Sequence, residues 1–112
     1  MGEYQLVLST APDLETAKKI AEYLIEQKIA ACCNLLPAMQ SVYSWKGKTE
    51  TEQEVLLLIK STEENFKKIE HAISELHPYE IPEIIATEIV NGSALYLNWI
   101  SDTIEGVHDK FA

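Results

Sequence analysis

The stretch Ala30-Ala-Cys-Cys-Asn-Leu-Leu-Pro-Ala-Met-Gln-Ser-Val-Tyr-Ser-Trp45 is rich in small apolar, β-branched and aromatic residues, a composition that suits a pleated strand. Lys46-Gly47 follows, and then Thr49-Glu-Thr-Glu-Gln-Glu-Val-Leu-Leu-Leu-Ile-Lys60, which ends in a continuous apolar run. Glycine takes positive φ without strain, so Gly47 supplies the tight turn that joins both arms into one β-hairpin. If Trp45 pairs with Lys48, then Tyr43 faces Glu50, Ser41 faces Glu52 and Met39 faces Glu54, subject to a bulge at Pro37. At about 3.3 Å per residue the ascending arm is roughly 50 Å long. A compact chain of this size has a radius of gyration of only about 13–14 Å. The tip, with Tyr43 and Trp45, therefore stands clear of its own domain, and an exposed aromatic edge needs a partner to cover it. The hairpin predicts an oligomer. The alternative is a hairpin broken at Pro37 and folded back on its own chain, since proline in a strand marks bulges and edges.

Upstream of the hairpin, Tyr4 to Thr10 reads as a first strand. Pro12 stops it, and Asp13 is a good N-cap acceptor for a helix whose Leu14, Ala17, Ile20, Ala21 and Leu24 repeat at helical spacing up to about Lys28. Downstream, Ser61-Thr-Glu-Glu64 has the capping-box pattern of a second helix, with Phe66, Ile69, Ala72, Ile73 and Leu76 as its apolar stripe. His77-Pro78 ends that helix, because the residue before proline is pushed out of the helical region. Glu83 to Val90 reads as a fourth strand, Asn91-Gly92 as a turn, and Ser93 as the cap of a third helix running toward Ile104. The order βαββαβ plus a terminal helix predicts an α+β, ferredoxin-like sandwich: an antiparallel sheet with both main helices on one face. The expected organisation is a single domain over residues 1–104 and a polar tail over 105–112.

The 112 residues are enough to bury one core without metals or disulfides. Eighteen acidic residues against nine basic give a net charge of −9, which speaks against nucleic-acid binding, since that needs a basic footprint. The longest apolar run, Val55 to Ile59, is far short of the roughly 20 residues a membrane span requires. No basic-then-apolar leader follows Gly2, so a cytoplasmic protein with no membrane partner is expected. Cys32 and Cys33 are neighbours in a strand and point to opposite faces, so they do not pair readily, which suits a reducing compartment.

Several segments taken together resemble the CutA divalent-cation tolerance family. They are Ser9-Thr10-Ala11-Pro12-Asp13, Ala30-Ala31-Cys32-Cys33-Asn34, Tyr43-Ser44-Trp45-Lys46-Gly47-Lys48, Glu54 to Lys60, His77-Pro78-Tyr79-Glu80-Ile81-Pro82-Glu83 and Tyr96-Leu97-Asn98-Trp99-Ile100. The likeness runs in register from about Leu6 to Ile100. It implies a ferredoxin-like protomer assembled as a homotrimer, similar in layout to PII signalling proteins, with hairpins reaching across to neighbouring subunits. Tyr43, Trp45 and Trp99 then fall at the trimer interface. It also implies a role in tolerance of copper and other divalent metals, with no enzymatic reaction and no obligatory cofactor.

His77-Pro78-Tyr79-Glu80 is the strongest functional candidate. Imidazole beside carboxylate suits borderline divalent ions such as Cu2+ and Zn2+, and His77 at a helix C-terminus is placed where the imidazolium form is favoured. The structural alternative is a rigid helix-to-strand connection. Bacterial relatives for which copper ligands have been proposed carry Cys where this chain has Ser9 and His where it has Leu76, so only His77 of that set is present. His71 and His77 do not share a helix face, and His108 lies in the tail. Glu54 and Lys60, six apart on one strand, share a face of the sheet. With Cys32, Tyr79 and Glu80 they match positions that line a cleft between subunits in the family. That cleft would hold a small metabolite, as in PII-like trimers, or an inter-subunit ion-pair network. Cys32 reads either as a soft-metal ligand or as a small packed strand residue, and a Cys32–His77 nucleophilic pair is the remotest reading.

Overall fold

A computed structural model describes residues 3–105, and the hairpin sets its shape. The elements are β1 (Tyr4–Ala11), α1 (Leu14–Glu26), β2 (Cys32–Trp45), β3 (Lys48–Thr62), a 3-10 turn (Glu63–Asn65), α2 (Phe66–Leu76), β4 (Ile84–Glu88) and α3 (Ala94–Glu105). Trp45 pairs with Lys48, Tyr43 with Glu50, Ser41 with Glu52 and Met39 with Glu54, as the turn at Gly47 requires. Lys46 and Gly47 both have positive φ, 51° and 81°, the backbone of a type I′ turn whose twist matches that of the flanking strands.

At Pro37 the hairpin bulges but does not break. Leu36 pairs with Leu56 and Met39 with Glu54, so Pro37 and Ala38 together oppose Val55. Proline cannot donate to the ladder, and Ala38 takes φ 63° to carry the chain past it. Pairing then resumes and runs to the turn, which removes the folded-back alternative. β1 stops at Ala11 opposite Val55. From Met39 to Trp45 and Lys48 to Glu54, β2 and β3 therefore pair only with each other. That two-stranded ribbon is about 23 Å long at 3.3 Å per pair. It gives the chain extents of 51 × 27 × 23 Å and a radius of gyration of 14.9 Å, above the compact expectation.

The sheet is antiparallel in the order β2-β3-β1-β4. Period-two alternation puts Val7, Ser9 and Ala11 of β1 and Val55, Leu57, Ile59 and Ser61 of β3 on the face that α1 and α2 cover. Ile20 and Leu24 of α1 and Ile69 and Ile73 of α2 are fully buried there. Each such side chain contributes about 1.5–3 kcal/mol by leaving water. Asp13 caps α1 by accepting from Thr16 N–H at 2.7 Å, and that bond holds its carboxyl below the ordinary carboxylate value.

Two expectations are corrected. Ser61-Thr-Glu-Glu64 is not a capping box: Ser61 and Thr62 continue β3, because β1 starts at Tyr4 and pairs with Thr62. Ser61 is buried and donates its hydroxyl to the Ile29 carbonyl at 2.6 Å, while a 3-10 turn, with no side-chain cap, leads into α2. The fourth strand is shorter than expected, since β1 offers it partners only from Gln5 to Ser9. The third helix is capped by Ser93, whose Oγ accepts from Tyr96 N–H at 3.2 Å. It runs through Glu105, the first residue of the expected tail; the rest of that tail, with His108, lies outside the described residues. Among the described residues no helix is long and apolar enough to cross a membrane.

The other face of the sheet has far less cover. Leu6, Leu8, Leu56 and Leu58 fall there by alternation, flanked by Leu36 at 44% exposure and Ile85 at 53%. α3 closes only one end of this face, through the buried Ile100 and a 2.6 Å hydrogen bond between Tyr4 Oη and Ser101 Oγ.

Candidate functional site

The kink that Pro78 imposes after α2 turns the 77–83 segment back toward the end of β1. His77 leaves the helix in an extended conformation, φ −90° and ψ 139°, and its ring is buried at 8% exposure. The Thr10 carbonyl can only accept, so His77 Nε2–H donates to it at 2.6 Å. Nδ1 accepts from Tyr79 N–H at 3.1 Å. Both ring nitrogens are thus engaged within the chain, Nε2 by the Thr10 carbonyl and Nδ1 by the Tyr79 amide. A metal ion taking His77 would have to displace one of these bonds.

Tyr79 lies against the His77 ring, centroids 4.6 Å apart, and donates its hydroxyl to Glu54 Oε2 at 2.9 Å. Burial, and then this bond to an anion, raise the Tyr79 phenol above its ordinary value. Glu54 comes from the first ribbon position beyond the end of β1 and is only 6% exposed. His77, Tyr79 and Glu54 therefore form one connected chain from the Thr10 backbone to the base of the ribbon. The ribbon curves over this chain and leaves a groove of about 640 Å³. Tyr43, Trp45, Glu54, Tyr79, Glu80 and Glu83 are among the residues that line it. Tyr43 is itself raised above the usual phenol value, by desolvation and then by Glu52, Glu50 and Glu54.

Cys32 and Lys60 form a second group. Lys60 Nζ donates to Asn34 Oδ1 and lies 3.9 Å from Cys32 Sγ. Tyr96 packs beside them, stacked on Trp99 with centroids 5.5 Å apart. Its phenol is raised by burial and then by Cys32. Glu54 and Lys60 do share a sheet face, but six residues of extended strand put about 20 Å between them. Within the chain, the expected cleft residues split into a Glu54–Tyr79–Glu80 group and a Cys32–Lys60 group.

Strand rise also separates Cys32 from His77. Cys32 pairs with Lys60, while Thr10, which holds His77, pairs with Leu56, four residues or about 13 Å away along β3. No nucleophile–base pair forms. Cys33 faces the core, and burial followed by the neighbouring Cys32 pushes its thiol up to about 12. Ser9 is fully buried, and its hydroxyl has no hydrogen-bond partner among the described residues. Among the described residues no three His, Cys, Asp or Glu side chains converge as a metal cluster.

Sequence reasoning missed the His77–Thr10 bond and the burial of Glu54. The one available signal for the latter was a lone glutamate entering the apolar run Val55 to Ile59.

Comparison with known proteins identifies the family and the fold. The family model described as CutA1 divalent ion tolerance protein matches residues 5–103. The Divalent-cation tolerance protein CutA of Thermus thermophilus is 42% identical over 98 residues, covering 88% of this chain and 95% of that protein. Human Protein CutA is 37% identical over 109 residues, 97% of this chain but 61% of the human sequence, so the chain spans under two thirds of that relative. The solved structure of the Periplasmic divalent cation tolerance protein CutA from Archaeoglobus fulgidus superposes with a TM-score of 0.88 at 36% identity, covering 90% of this chain and 98% of its own. A match across nearly the whole chain, in sequence and in fold, assigns it to the CutA divalent-ion tolerance family.

Proposed function

We propose that the chain acts without enzymatic chemistry in cellular tolerance of divalent metal ions, copper among them, as a cytoplasmic homotrimer that takes cations weakly and between subunits. The observation that carries this reading is the half-covered sheet face. Leu6, Leu8, Leu36, Leu56, Leu58 and Ile85 form an apolar patch continuous with the ribbon bearing Tyr43 and Trp45. Such a patch beside an unpaired two-stranded edge is the signature of a surface that other copies cover. Both groups of candidate residues lie on that face. A second copy laid on it supplies the ligands that one protomer does not bring together. His77, with Glu54 and Glu80 near it, is the protomer's contribution to a borderline cation such as Cu2+ or Zn2+.

The direct test is titration of the native assembly with Cu(II) and Zn(II), with His77→Ala alongside. Saturable binding weakened by the substitution supports the reading, and binding unaffected by it moves the site elsewhere. Fractionation of the source cells tests the compartment, since the Archaeoglobus relative carries a periplasmic title.

A second reading is a PII-like trimer holding a small metabolite. The groove of about 640 Å³ favours it, being of the size that small molecules occupy. Native mass spectrometry of the purified assembly distinguishes the two, by retained metal or by retained organic mass.

A further inference from the structure

We propose that the groove between α1 and α2 is a docking site for an acidic segment of another protein that carries one large apolar side chain. The groove has a volume of about 480 Å³ and lies where the end of α1, at Tyr23 and Gln27, meets the first half of α2. It belongs to the helical layer, across the sheet from the apolar face assigned to other copies, and it takes no residue from the ribbon or the 79–83 loop. It therefore stays open when copies cover that face.

Charge names the occupant. The chain carries eighteen acidic residues against nine basic ones, yet the ionisable side chains of α2 at this groove are Lys67, Lys68 and His71, and none of the described residues that line it is acidic. His71 follows the two lysines by four and three residues, so all three rise from neighbouring positions on one side of the helix. Lys67 meets Glu70 at 3.4 Å, but the two side chains are 88% and 44% exposed. So wet a pair contributes little and is readily exchanged for a partner's carboxylate. Among the described residues Lys68 and His71 make no ion pair. A basic patch on an acidic chain favours an acidic partner and sets its register.

The rest of the lining decides what else the partner carries. Ile29 and Ala72 are buried core residues that reach the groove, and Tyr23, 41% exposed, adds an aromatic ring. A pocket for a small molecule removes most of its ligand from water, which side chains as exposed as Lys67 do not do. The groove suits a chain lying across it, with an apolar side chain between the helices and carboxylates on the lysines.

Calorimetric titration of the native assembly with the end-capped peptide Glu-Glu-Phe-Glu-Glu tests this, beside Gln-Gln-Phe-Gln-Gln and Glu-Glu-Ala-Glu-Glu. Saturable binding of the first is expected, weakened by added salt, with each of the other two weaker by about fivefold or more. The double substitution Lys67→Gln/Lys68→Gln is expected to weaken the first peptide about fivefold or more, whereas Lys18→Gln, at an exposed position of α1 outside the groove, changes it by less than about twofold. All three lysines are exposed, so these variants keep the fold. Amide shift mapping on the isotope-labelled assembly is expected to place the perturbation at Tyr23, Lys68 and His71. Equal binding of the Gln or Ala peptide, no saturable binding at millimolar concentration, unchanged affinity in the double variant, or shifts confined to the ribbon overturns the proposal.

Discussion

Replacing Tyr79 by Phe removes one oxygen atom and isolates the bond on which the candidate site is built. The lost interaction is a 2.9 Å hydrogen bond from a phenol to the carboxylate of a glutamate that is 6% exposed. Hydrogen bonds to charged groups contribute about 1.5–3 kcal/mol. The Tyr79 side chain is itself partly exposed, so water reaches the vacated position and the lower end applies, about 1.5 kcal/mol. With an unfolding entropy of about 2.1 cal/mol/K per residue, 112 residues convert that into a fall in Tm of about 6 °C. Melting is followed by circular dichroism at matched protein concentration, because an oligomer's Tm depends on it. In a Glu54→Gln background the acceptor is neutral, so the same substitution should cost about half as much, a coupling of about 0.5–1 kcal/mol. The alkaline limb gives an independent check. Tyr79 has a folded pKa above its unfolded value, so its contribution to stability is intact below about pH 10 and is lost as pH rises beyond it. Tyr79→Phe should flatten that decline. A variant melting within about a degree of the parent, or losing the same stability with Gln at 54, refutes the reasoning.

Three further outcomes follow from particular buried groups. Ser61→Ala removes a fully buried hydroxyl that donates to the Ile29 carbonyl, and denaturant unfolding should show a loss of about 1–2 kcal/mol; no loss contradicts the strand assignment of Ser61. Ser9→Ala, by contrast, deletes a buried hydroxyl with no partner among the described residues, and the same measurement should show stability unchanged or raised by up to about 1 kcal/mol. With its thiol pushed up to about 12, Cys33 should resist alkylation near neutral pH, and peptide mapping that finds it modified as fast as free cysteine counts against its packing in the core.

The hairpin was legible because its determinants are local. Gly47 sets the turn, two-residue periodicity carries the register outward from it, and Pro37 marks where the ladder must slip. Asp13, Ser93 and His77-Pro78 likewise announce their helix ends through their own chemistry. Ser61-Thr-Glu-Glu64 misled because a capping box and a strand end share residue types. What decides between them is the distant pairing of Tyr4 with Thr62 and the carbonyl of Ile29. The site shows the same division. Alternation put Glu54 and Lys60 on one face correctly, but a shared face does not mean contact, and strand rise separates them. The Thr10 carbonyl that accepts from His77 lies 67 residues away in the chain, and no periodicity could reveal it.

The account depends on other copies of the chain covering the ribbon and the apolar sheet face. Sedimentation equilibrium in dilute buffer measures this directly. The predicted result is a single species of three times the 12.6 kDa chain mass, persisting on dilution to micromolar concentration. A well-behaved 12.6 kDa species under the same conditions contradicts it.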